Sequence, residues 1–541
     1  MKIRALFLWS WPWLLGVLGL TVLHGPMARD GFGRAHGNLI DGRLVALLLE
    51  HAHRWTFGSG ALGDGITGRA PSFFDPTWLY YPYPDALSLT ETMLGAIPLY
   101  SPFRFVGVSP LHSFQLWMVL CSALGYATMY RLSRTLKMGP IGATLAAFLC
   151  TFAMPRVTAA HHPQLAFFFP TVLALLGLIH YLRAPTVSKR MLWLVGVAGL
   201  AAWQTWATVY FGVFLILAMV TAGLAALAMR ETRQILLTCL RRDWAFVILA
   251  AVAFAALLFP LVTAILRHGP LLDRPWAEVS TYLPTPASLV FPHGHSLLYG
   301  WLHDSVGRYV NNPNESQLFA GTVALLAPLA LWRIVRREQT AAQPAFDLSS
   351  AKLLLLTWAL LLFLMLGDRS GHSFWWLLWH LPGGSGLRGV SRLGLVVLLL
   401  VSLALGWAAT WLETRCSRGR LAVIVLSLFV VLENAVDNGY LFSLASHQRR
   451  VAHLAFAVQH HPDQPCAAFF YQSASNNNWA GHVDAMWASF QTGVPTLNGW
   501  AGTEPPGWRF REASSVNAED LLSWARHYQP NLSHVCLVKE D

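Results

Sequence analysis

The sequence predicts a mainly α-helical protein that crosses a membrane many times. Hydrophobic residues make up 55% of the 541 positions and charged residues only 12%, whereas about a quarter of the residues in soluble domains are charged. Apolar runs of roughly 17 to 25 residues recur along the chain, and each is long enough for about 30 Å of hydrocarbon. We therefore expect a polytopic membrane protein with about eleven spans.

Eleven runs have the length and composition of a span. The first covers about residues 6 to 23, and we interpret it as a retained anchor rather than a signal peptide, because it is long and no clear cleavage site follows it. The runs within 191–206 and 209–229 are kept apart at Gln204-Thr205-Trp206, since fusing them would place every later basic cluster on the opposite side. The others lie near 111–130, 138–154, 165–182, 244–266, 318–334, 352–367, 390–412 and 421–441.

The positions of Lys and Arg indicate the orientation of the chain. Short basic connections alternate with long ones that are rich in Pro, Gly, His and aromatic residues, and short basic connections face the cytoplasm in most membrane proteins. This pattern predicts a membrane protein with a cytoplasmic N-terminus, whose long connections face the periplasm or the cell exterior. The segments expected outside are 24–110, 155–164, 267–317, 368–389 and the tail 442–541. The basic connections contain Arg131/Arg134/Lys137, Arg183/Lys189/Arg190, Arg230/Arg233/Arg241/Arg242, Arg333/Arg336/Arg337 and Arg415/Arg418/Arg420.

The tail has the composition of a soluble domain. Helical patterns near 447–460, 482–491 and 517–528 alternate with two strand-like runs, which predicts a small external α/β domain over 442–541, after a transmembrane domain over 1–441. Cys466 and Cys536 lie on the two strand-like runs. In an oxidising compartment this pair could form a disulfide or remain reduced.

Several classes of function are excluded by composition and motifs. The net charge of +11 is explained largely by the cytoplasmic connections, so nucleic-acid binding is not expected. There is no Walker motif, GxSxG, HExxH or dinucleotide fingerprint. Membrane lipids are the partner that the composition itself predicts.

The first long connection carries several of the 27 acidic residues. The spacing of apolar residues predicts an amphipathic surface helix from Leu39 to Trp55, with Asp41 at its start as an N-cap or a catalytic acid. A second helix is expected over 89–103, with Glu91 in its first turn. Between them, Trp78 to Pro84 is expected to be an ordered extended segment. We interpret Tyr81 and Tyr83 there as the wall of a substrate site.

The arrangement of external acids, aromatic loops and cations suits transfer of a sugar from a lipid-phosphate donor. Such a reaction needs fixed cations for the phosphate and a carboxylate that accepts the proton of the acceptor hydroxyl. Arg388 and Arg392 are candidates for the phosphate, because guanidinium can donate two parallel hydrogen bonds; interfacial snorkelling is the alternative. Three residues of another external turn are candidate ligand contacts, with ordinary loop packing as the alternative: Arg156, His161 and His162.

A resemblance to a known superfamily becomes visible across nearly the whole chain. The strings that carry it are Asp41-Gly42 to His51-Ala52-His53, Phe73 to Tyr83, Glu91-Thr92-Met93-Leu94-Gly95, Arg156 with His161-His162-Pro163, Glu315 to Gly321, Leu387-Arg388-Gly389-Val390-Ser391-Arg392 and Leu497-Asn498-Gly499-Trp500-Ala501-Gly502. Together they resemble bacterial multi-pass proteins of the glycosyltransferase C superfamily.

This resemblance implies a glycosyltransferase C fold and a polyprenyl-phosphate sugar donor, with a glycan, lipid or protein as acceptor. It also implies that Asp41 is the catalytic base, Glu91 a second acid, Arg388, Arg392 and Arg156 donor ligands, and Glu315 a substrate ligand. Inversion at the sugar carbon is expected on the same ground. The chain reads Thr90-Glu91-Thr92 where relatives read SEH, so no role for that His carries over.

Metal dependence and two other functions stay open. Acids of the external segments could hold a divalent cation, but there is no DxD spacing and Arg alone can bind a lipid phosphate, so we expect no required cofactor. A transporter or flippase of lipid-linked glycans would place ionisable groups at mid-span depth. A non-catalytic assembly partner would keep the fold without bringing Asp41 and Glu91 to one cavity.

Overall fold

The structure is a computed structural model that describes residues 2–58, 72–341, 343–436, 440–462, 465–473, 478–511 and 516–540. It is mainly helical, and a helix stands at each of the eleven expected spans. Their bounds are Lys2–Arg29, Pro110–Thr135, Pro140–Phe152, Phe169–Arg183, Val187–Ala207, Val209–Ala228, Arg230–Leu266, Thr322–Glu338, Leu348–Met365, Gly394–Arg415 and Gly419–Glu433.

Six segments of the described chain are long and apolar enough to cross a membrane, judged by length and composition. They are Pro140–Ala159, Pro163–Arg183, Val209–Ala228, Arg230–Leu266, Leu348–Met365 and Val390–Arg415. The last expected span, 421–441, runs into residues 437–439, which lie outside the described residues. Its helix already ends at Glu433. The protein is thus a membrane protein, whereas the number of eleven spans stays a prediction.

The two runs between 191 and 229 are separate helices, as expected. The break falls at Thr208, whose φ of −152° and ψ of 107° are extended, three residues after the middle of the expected turn at Gln204-Thr205-Trp206. The helix Val209–Ala228 begins directly after it. The break therefore exposes the first N–H groups of this helix to a partner from elsewhere in the chain.

Contacts between distant connections hold one end of the bundle together. Arg415 pairs with Glu338 at 2.9 Å, Gly142 N donates to Glu413 Oε1 at 2.6 Å, and Arg183 Nη1 donates to the Thr135 carbonyl at 2.9 Å. We call this the basic end, and the opposite one, which carries the long connections, the loop end. One basic connection differs from expectation: 230–243 is helical and continues into the next span, with a kink at Asp243.

The first long connection and the tail share one hydrophobic core at the loop end. The strand Arg34–His36 pairs antiparallel with Leu441–Ser443, and buried residues of both segments, such as Leu47, Trp78, Val483 and Trp508, belong to the same cluster. Arg43, fully buried, forms an ion pair with the buried Asp484. The tail therefore covers the first connection directly.

Both helices expected in the first connection need correction. The helix Asp41–Phe57 does exist, but residues Gly42 to Ala52 are buried on every side, so it is a core helix and not a surface one. The second helix is shorter than expected, Ile97–Phe105, after single turns at Ala86–Leu89 and Leu94–Ala96. Glu91 therefore lies in a loop and not in a first turn. The segment from Trp78 to Pro84 is ordered but full of turns, and Tyr80 has a φ of 49°.

The tail contains both helices and strands, whereas a separate domain over 442–541 stays a prediction. Its helices are Leu444–Gln459, Asn478–Thr492 and Ala518–Tyr528, and its strands Phe469–Gln472 and Cys536–Lys539 are parallel. Cys466 and Cys536 form a disulfide, which is one of the two states that the sequence left open. Short helices in the other connections are Met154–Ala159, Trp276–Ser280, His303–Gly307 and Trp375–Trp379.

Candidate functional site

Asp41 is placed by a close approach of two glycines. Gly37 has a φ of 112°, and a Cβ added to it would lie 2.4 Å from the Gly42 Cα, so no other residue fits there without a shift. The contact brings the end of the strand Arg34–His36 against the start of the helix Asp41–Phe57. The N-cap of that helix is Ile40, without a side-chain cap, which corrects the N-cap alternative for Asp41. Its carboxylate is left to contact another connection.

That contact is His162, in the short connection between the segments Pro140–Ala159 and Pro163–Arg183. Asp41 Oδ2 lies 2.9 Å from His162 Nδ1. Asn38 supports the loop, since its side-chain oxygen accepts the Asp41 N–H at 2.6 Å. Asp41 and His162, two candidate site residues from separate connections, are thus in direct contact.

Glu315 and Arg392 complete the arrangement on the other side of His162. His162 Nε2 lies 2.8 Å from Glu315 Oε1 and 2.9 Å from Arg392 Nη2. Arg392 donates to both oxygens of Glu315, from Nη2 at 2.9 Å and from Nε at 3.2 Å. This two-point contact fixes the plane of the guanidinium. We call Asp41, His162, Glu315 and Arg392 the loop-end network.

The charges of the loop-end network stabilise one another. Burial and Arg392 lower the pKa of His162, but Glu315 and Asp41 raise it by more, so the net shift is upward. Burial raises the pKa of Asp41, while His162 and Arg392 lower it by more. Glu315 follows the same pattern, and its pKa lies well below the ordinary value. Both carboxylates are therefore ionised at neutral pH.

Each end of the network keeps a polar atom free. Asp41 Oδ1 and Arg392 Nη1 have no hydrogen-bond partner within the described part of the chain, since the contacts of these side chains there use Oδ2, Nε and Nη2. The Asp41 side chain is 24% exposed and that of Arg392 is 13% exposed. The network therefore offers an acceptor and a donor to a ligand, on either side of His162.

Glu91 lies at the helix break described above. Its Oε2 accepts the N–H of Val209, the first residue of the helix Val209–Ala228, at 2.8 Å, whereas its buried Oε1 has no partner among the described residues. Burial raises the pKa of Glu91 to about 7, against smaller opposing effects of this hydrogen bond and of Arg392. Glu91 thus satisfies an N–H group that the break leaves open.

Tyr210 connects the network to Arg388, and no sequence motif indicated it. Its ring faces the Arg392 guanidinium at 4.7 Å, and its hydroxyl accepts the Gly389 N–H at 3.3 Å. Arg388 next to it pairs with Glu278 at 3.0 Å. Tyr210 follows Val209 directly, so its place depends on the helix break and could be found only once the break was known.

Arg156 and His161 lie behind the network. Arg156 is buried, donates to the carbonyls of Cys150 at 3.0 Å and Leu165 at 3.4 Å, and stacks on Phe168. The structure therefore gives it a packing role, as the alternative reading had it. His161 turns its Nδ1 to the Thr158 carbonyl. Burial and His162 lower its pKa to about 4, so His161 is neutral near pH 7.

Tyr81 and Tyr83 contact the neighbouring loops and the tail. The Tyr81 hydroxyl donates to Gln529 at 2.5 Å, and the Tyr83 hydroxyl lies 2.9 Å from His268 Nδ1. Among the described residues, neither side chain forms a hydrogen bond with the loop-end network. Their place in a substrate wall stays a prediction.

One group of residues at the network has the composition of a metal site. This group consists of His162 and Glu315 of the network together with His161 behind it, and their ligand atoms lie within 4.8 Å of one another. However, the Arg392 Nη2 atom already lies 2.9 Å from both His162 Nε2 and Glu315 Oε1. A cation at this point would have to displace the guanidinium, which supplies the positive charge that the carboxylates need.

The fold is similar to that of known membrane enzymes, although the sequence matches no protein-family model and no curated protein. One solved structure is an Archaeoglobus fulgidus oligosaccharyltransferase in complex with Zn and sulfate, at 14% identity and a TM-score of 0.50, over 90% of this chain and 62% of that one. A second structure shows the same enzyme tethered to an acceptor peptide that contains the NVT sequon. It matches at 12% identity and a TM-score of 0.50, over 97% of this chain and 68% of that one.

At this level of identity the comparison concerns the fold. The chain spans about 62% of the length of the first of these structures, and its described part places the loop-end network where four connections meet. The expected fold is therefore supported, because the chain has a fold similar to that of the archaeal oligosaccharyltransferase.

Proposed function

We propose that the protein is a membrane glycosyltransferase that moves a sugar from a polyprenyl-phosphate donor to an acceptor outside a bacterial inner membrane. The observation that carries this proposal is the loop-end network. It joins a carboxylate with a free oxygen, Asp41 Oδ1, to a guanidinium with a free nitrogen, Arg392 Nη1, through one shared histidine. The fold likeness to an oligosaccharyltransferase supports the same class of reaction.

In the proposed reaction, an acceptor hydroxyl donates its hydrogen bond to Asp41 Oδ1. The acceptor oxygen attacks the anomeric carbon as the bond between that carbon and the phosphate oxygen breaks, and the hydroxyl proton passes to Asp41. The polyprenyl phosphate leaves with a negative charge that Arg392 and Arg388 stabilise. Attack from the face opposite the phosphate inverts the anomeric configuration.

His162 has a positioning role in this scheme. Its Nδ1 holds Asp41 Oδ2 at 2.9 Å, so Oδ1 remains the free oxygen of the carboxylate. Its charge also keeps Asp41 ionised. The carboxylate is therefore ready to accept a proton at any pH near neutrality.

The proposed reaction needs no metal cofactor, because Arg392 neutralises the carboxylate that a cation would bind. A bound divalent cation stays the alternative, since the archaeal neighbour was solved with Zn. Transfer by purified protein is expected to persist in the presence of EDTA. Loss of transfer that Mn²⁺ or Mg²⁺ restores would favour the alternative.

The proposal is tested by transfer from labelled polyprenyl-phosphate sugars to candidate glycan, lipid and peptide acceptors, with the full chain in nanodiscs. Asp41→Asn is expected to lower the rate by a factor of about 10² to 10⁴, the range for loss of a general base. Asp30→Asn is the matched control, because Asp30 is an exposed acid of the same connection. Equal transfer by Asp41→Asn and the wild type would remove Asp41 from the mechanism. A flippase would instead move the lipid across the membrane without forming a glycosidic bond.

A further inference from the structure

Two arginines beside the loop-end network share a single carboxylate oxygen. Glu278 Oε1 lies 3.0 Å from Arg388 Nη1 and 3.5 Å from Arg274 Nη1. The side chain of Arg388 is 35% exposed, that of Arg274 is 17% exposed and that of Glu278 is 29% exposed. The group carries one net positive charge and remains accessible to a ligand.

The backbone fixes the separation of the two guanidiniums independently of Glu278. The Arg274 N–H donates to the Ser385 carbonyl at 3.1 Å, and Trp379 Nε1 donates to the Arg274 carbonyl at 2.9 Å. The Ser385 hydroxyl also donates to the Asp273 carboxylate. These contacts tie the connection that carries Arg274 to the one that carries Arg388. The two cations therefore stay together when their counter-ion leaves.

Tyr210 places this pair next to the network. The hydroxyl of Tyr210 accepts the N–H of Gly389, the residue after Arg388, and its ring faces Arg392. Around the adjacent turn, a Cβ added to Gly383 would meet nothing within 4 Å. Tyr210 therefore lies between Arg392 and the backbone next to Arg388.

We propose that Glu278 occupies the place of a ligand phosphate in the resting protein, and that the phosphate of a polyprenyl phosphate displaces it from Arg274 and Arg388. This inference depends on the proposed function only for the identity of the lipid. A phosphate offers three oxygens to two guanidinium forks, whereas Glu278 contacts both with one oxygen. Glu278 thereby neutralises one of the two positive charges in the free protein, and weaker anions need a higher concentration to replace it.

The short helix Trp276–Ser280 carries Glu278 near its start, and no other described residue contacts the Glu278 carboxylate. Rotation of the side chain therefore breaks only its two contacts with the arginines. Displacement needs no change in the backbone hydrogen bonds of Arg274. The effect of Glu278 on binding is accordingly expected to be electrostatic.

The test is a binding titration of the full chain in detergent micelles, read from the melting temperature as a function of ligand concentration. The probes are a polyprenyl monophosphate, inorganic phosphate and the uncharged polyprenol. Glu278→Gln is expected to bind the polyprenyl monophosphate about three- to tenfold more tightly, since it removes one nearby negative charge of a partly exposed group. Arg274→Gln and Arg388→Gln should each bind it more weakly.

Asp304→Asn is the matched control, because Asp304 is an exposed acid in the same connection. The affinity of this variant for the polyprenyl monophosphate should equal that of the wild type. Affinity for polyprenol should be the same in every variant. Equal or weaker binding of the polyprenyl monophosphate by Glu278→Gln, with an unchanged melting temperature in the absence of ligand, overturns the inference. A gain of the same size for inorganic phosphate supports displacement and assigns recognition to the phosphate group alone.

The outcome is separable from that of the proposed function. Binding is measured without any acceptor, so it does not require that a sugar is transferred. A tighter Glu278→Gln variant in a protein that transfers no sugar would retain this inference and remove the proposed reaction. If transfer depends on Asp41 but Glu278→Gln does not change binding, the proposed reaction would be retained and this inference removed.

Discussion

His162 Nε2 and Arg392 Nη2 lie 2.9 Å apart, and Glu315 Oε1 lies within hydrogen-bond distance of both. A protonated His162 donates from Nε2 to Glu315 and from Nδ1 to Asp41. A neutral His162 with its proton on Nδ1 still donates to Asp41, but it accepts from Arg392. The protonation of one histidine therefore decides whether Arg392 is repelled or held by it, while the contact with Asp41 is kept.

The first prediction concerns the pH dependence of stability. The pKa of His162 is raised in the folded protein, so its charge contributes stability that is complete below the ordinary value of about 6.5 and is lost as the pH rises through the higher folded value. The difference in melting temperature between wild type and His162→Gln should therefore be largest below about pH 6 and decrease towards about pH 9. A difference that does not change over this range would contradict it.

A second prediction concerns Glu91. Its folded pKa of about 7 lies above the ordinary value of 4.5, so the folded state binds more protons between these values and loses stability as the pH rises through them. Glu91→Gln keeps an acceptor for the Val209 N–H and removes the charge. We expect its melting temperature to equal that of wild type near pH 4.5 and to exceed it above about pH 7.

Glu91→Ala provides the comparison for the role of the hydrogen bond. It removes the charge and the acceptor, so it leaves the Val209 N–H without its partner, at a cost of about 1–3 kcal/mol. The alanine variant should be less stable than the glutamine variant at every pH. Equal stability of the two would show that the contact with Val209 contributes nothing.

The third prediction concerns the ion pair between the first connection and the tail. Asp484→Asn leaves the fully buried Arg43 without a matching charge, and removal of one partner of a buried pair costs about 3–5 kcal/mol. We expect a lower melting temperature and faster proteolysis of the tail. Asp368→Asn is the control, because its partner His372 is exposed and the expected change is under about 1 kcal/mol.

The fourth prediction concerns the disulfide of the tail. Cys466 and Cys536 close a loop with a sequence separation of 70, and a loop of this length corresponds to about 4 kcal/mol by chain entropy. The Cys466→Ser/Cys536→Ser protein should therefore melt at a lower temperature. In cells, mass spectrometry after thiol alkylation should find this pair oxidised and the exposed Cys416 alkylated. Full alkylation of the pair would contradict an oxidising location of the tail.

Local sequence patterns predicted the helices well and the side-chain partners less well. The apolar runs were sufficient for the helices, because span length is set by the membrane. Asp41, His162, Glu315 and Arg392 were each named as candidates, but His162 and Glu315 are 153 residues apart, so no local rule could pair them. The contact of Glu91 with Val209, across 118 residues, was missed for the same reason.

Burial explains the remaining differences. The helix Asp41–Phe57 was expected at a surface because one face is polar, yet Arg43 on that face is matched by Asp484 of the tail. A polar residue can be covered when a partner of opposite charge arrives, and the sequence of the helix alone does not show the partner. Tyr210 was missed because a tyrosine near a span end is typical of membrane interfaces.

The shared core of the first connection and the tail also has a consequence for the timing of biosynthesis. The segment around Arg43 leaves the ribosome first, and Asp484 and the strand Leu441–Ser443 follow roughly 400 residues later, which at about 5–20 residues per second is on the order of half a minute. During that interval the first connection lacks its partners. Asp41 should therefore reach its final place only after the tail has been synthesised.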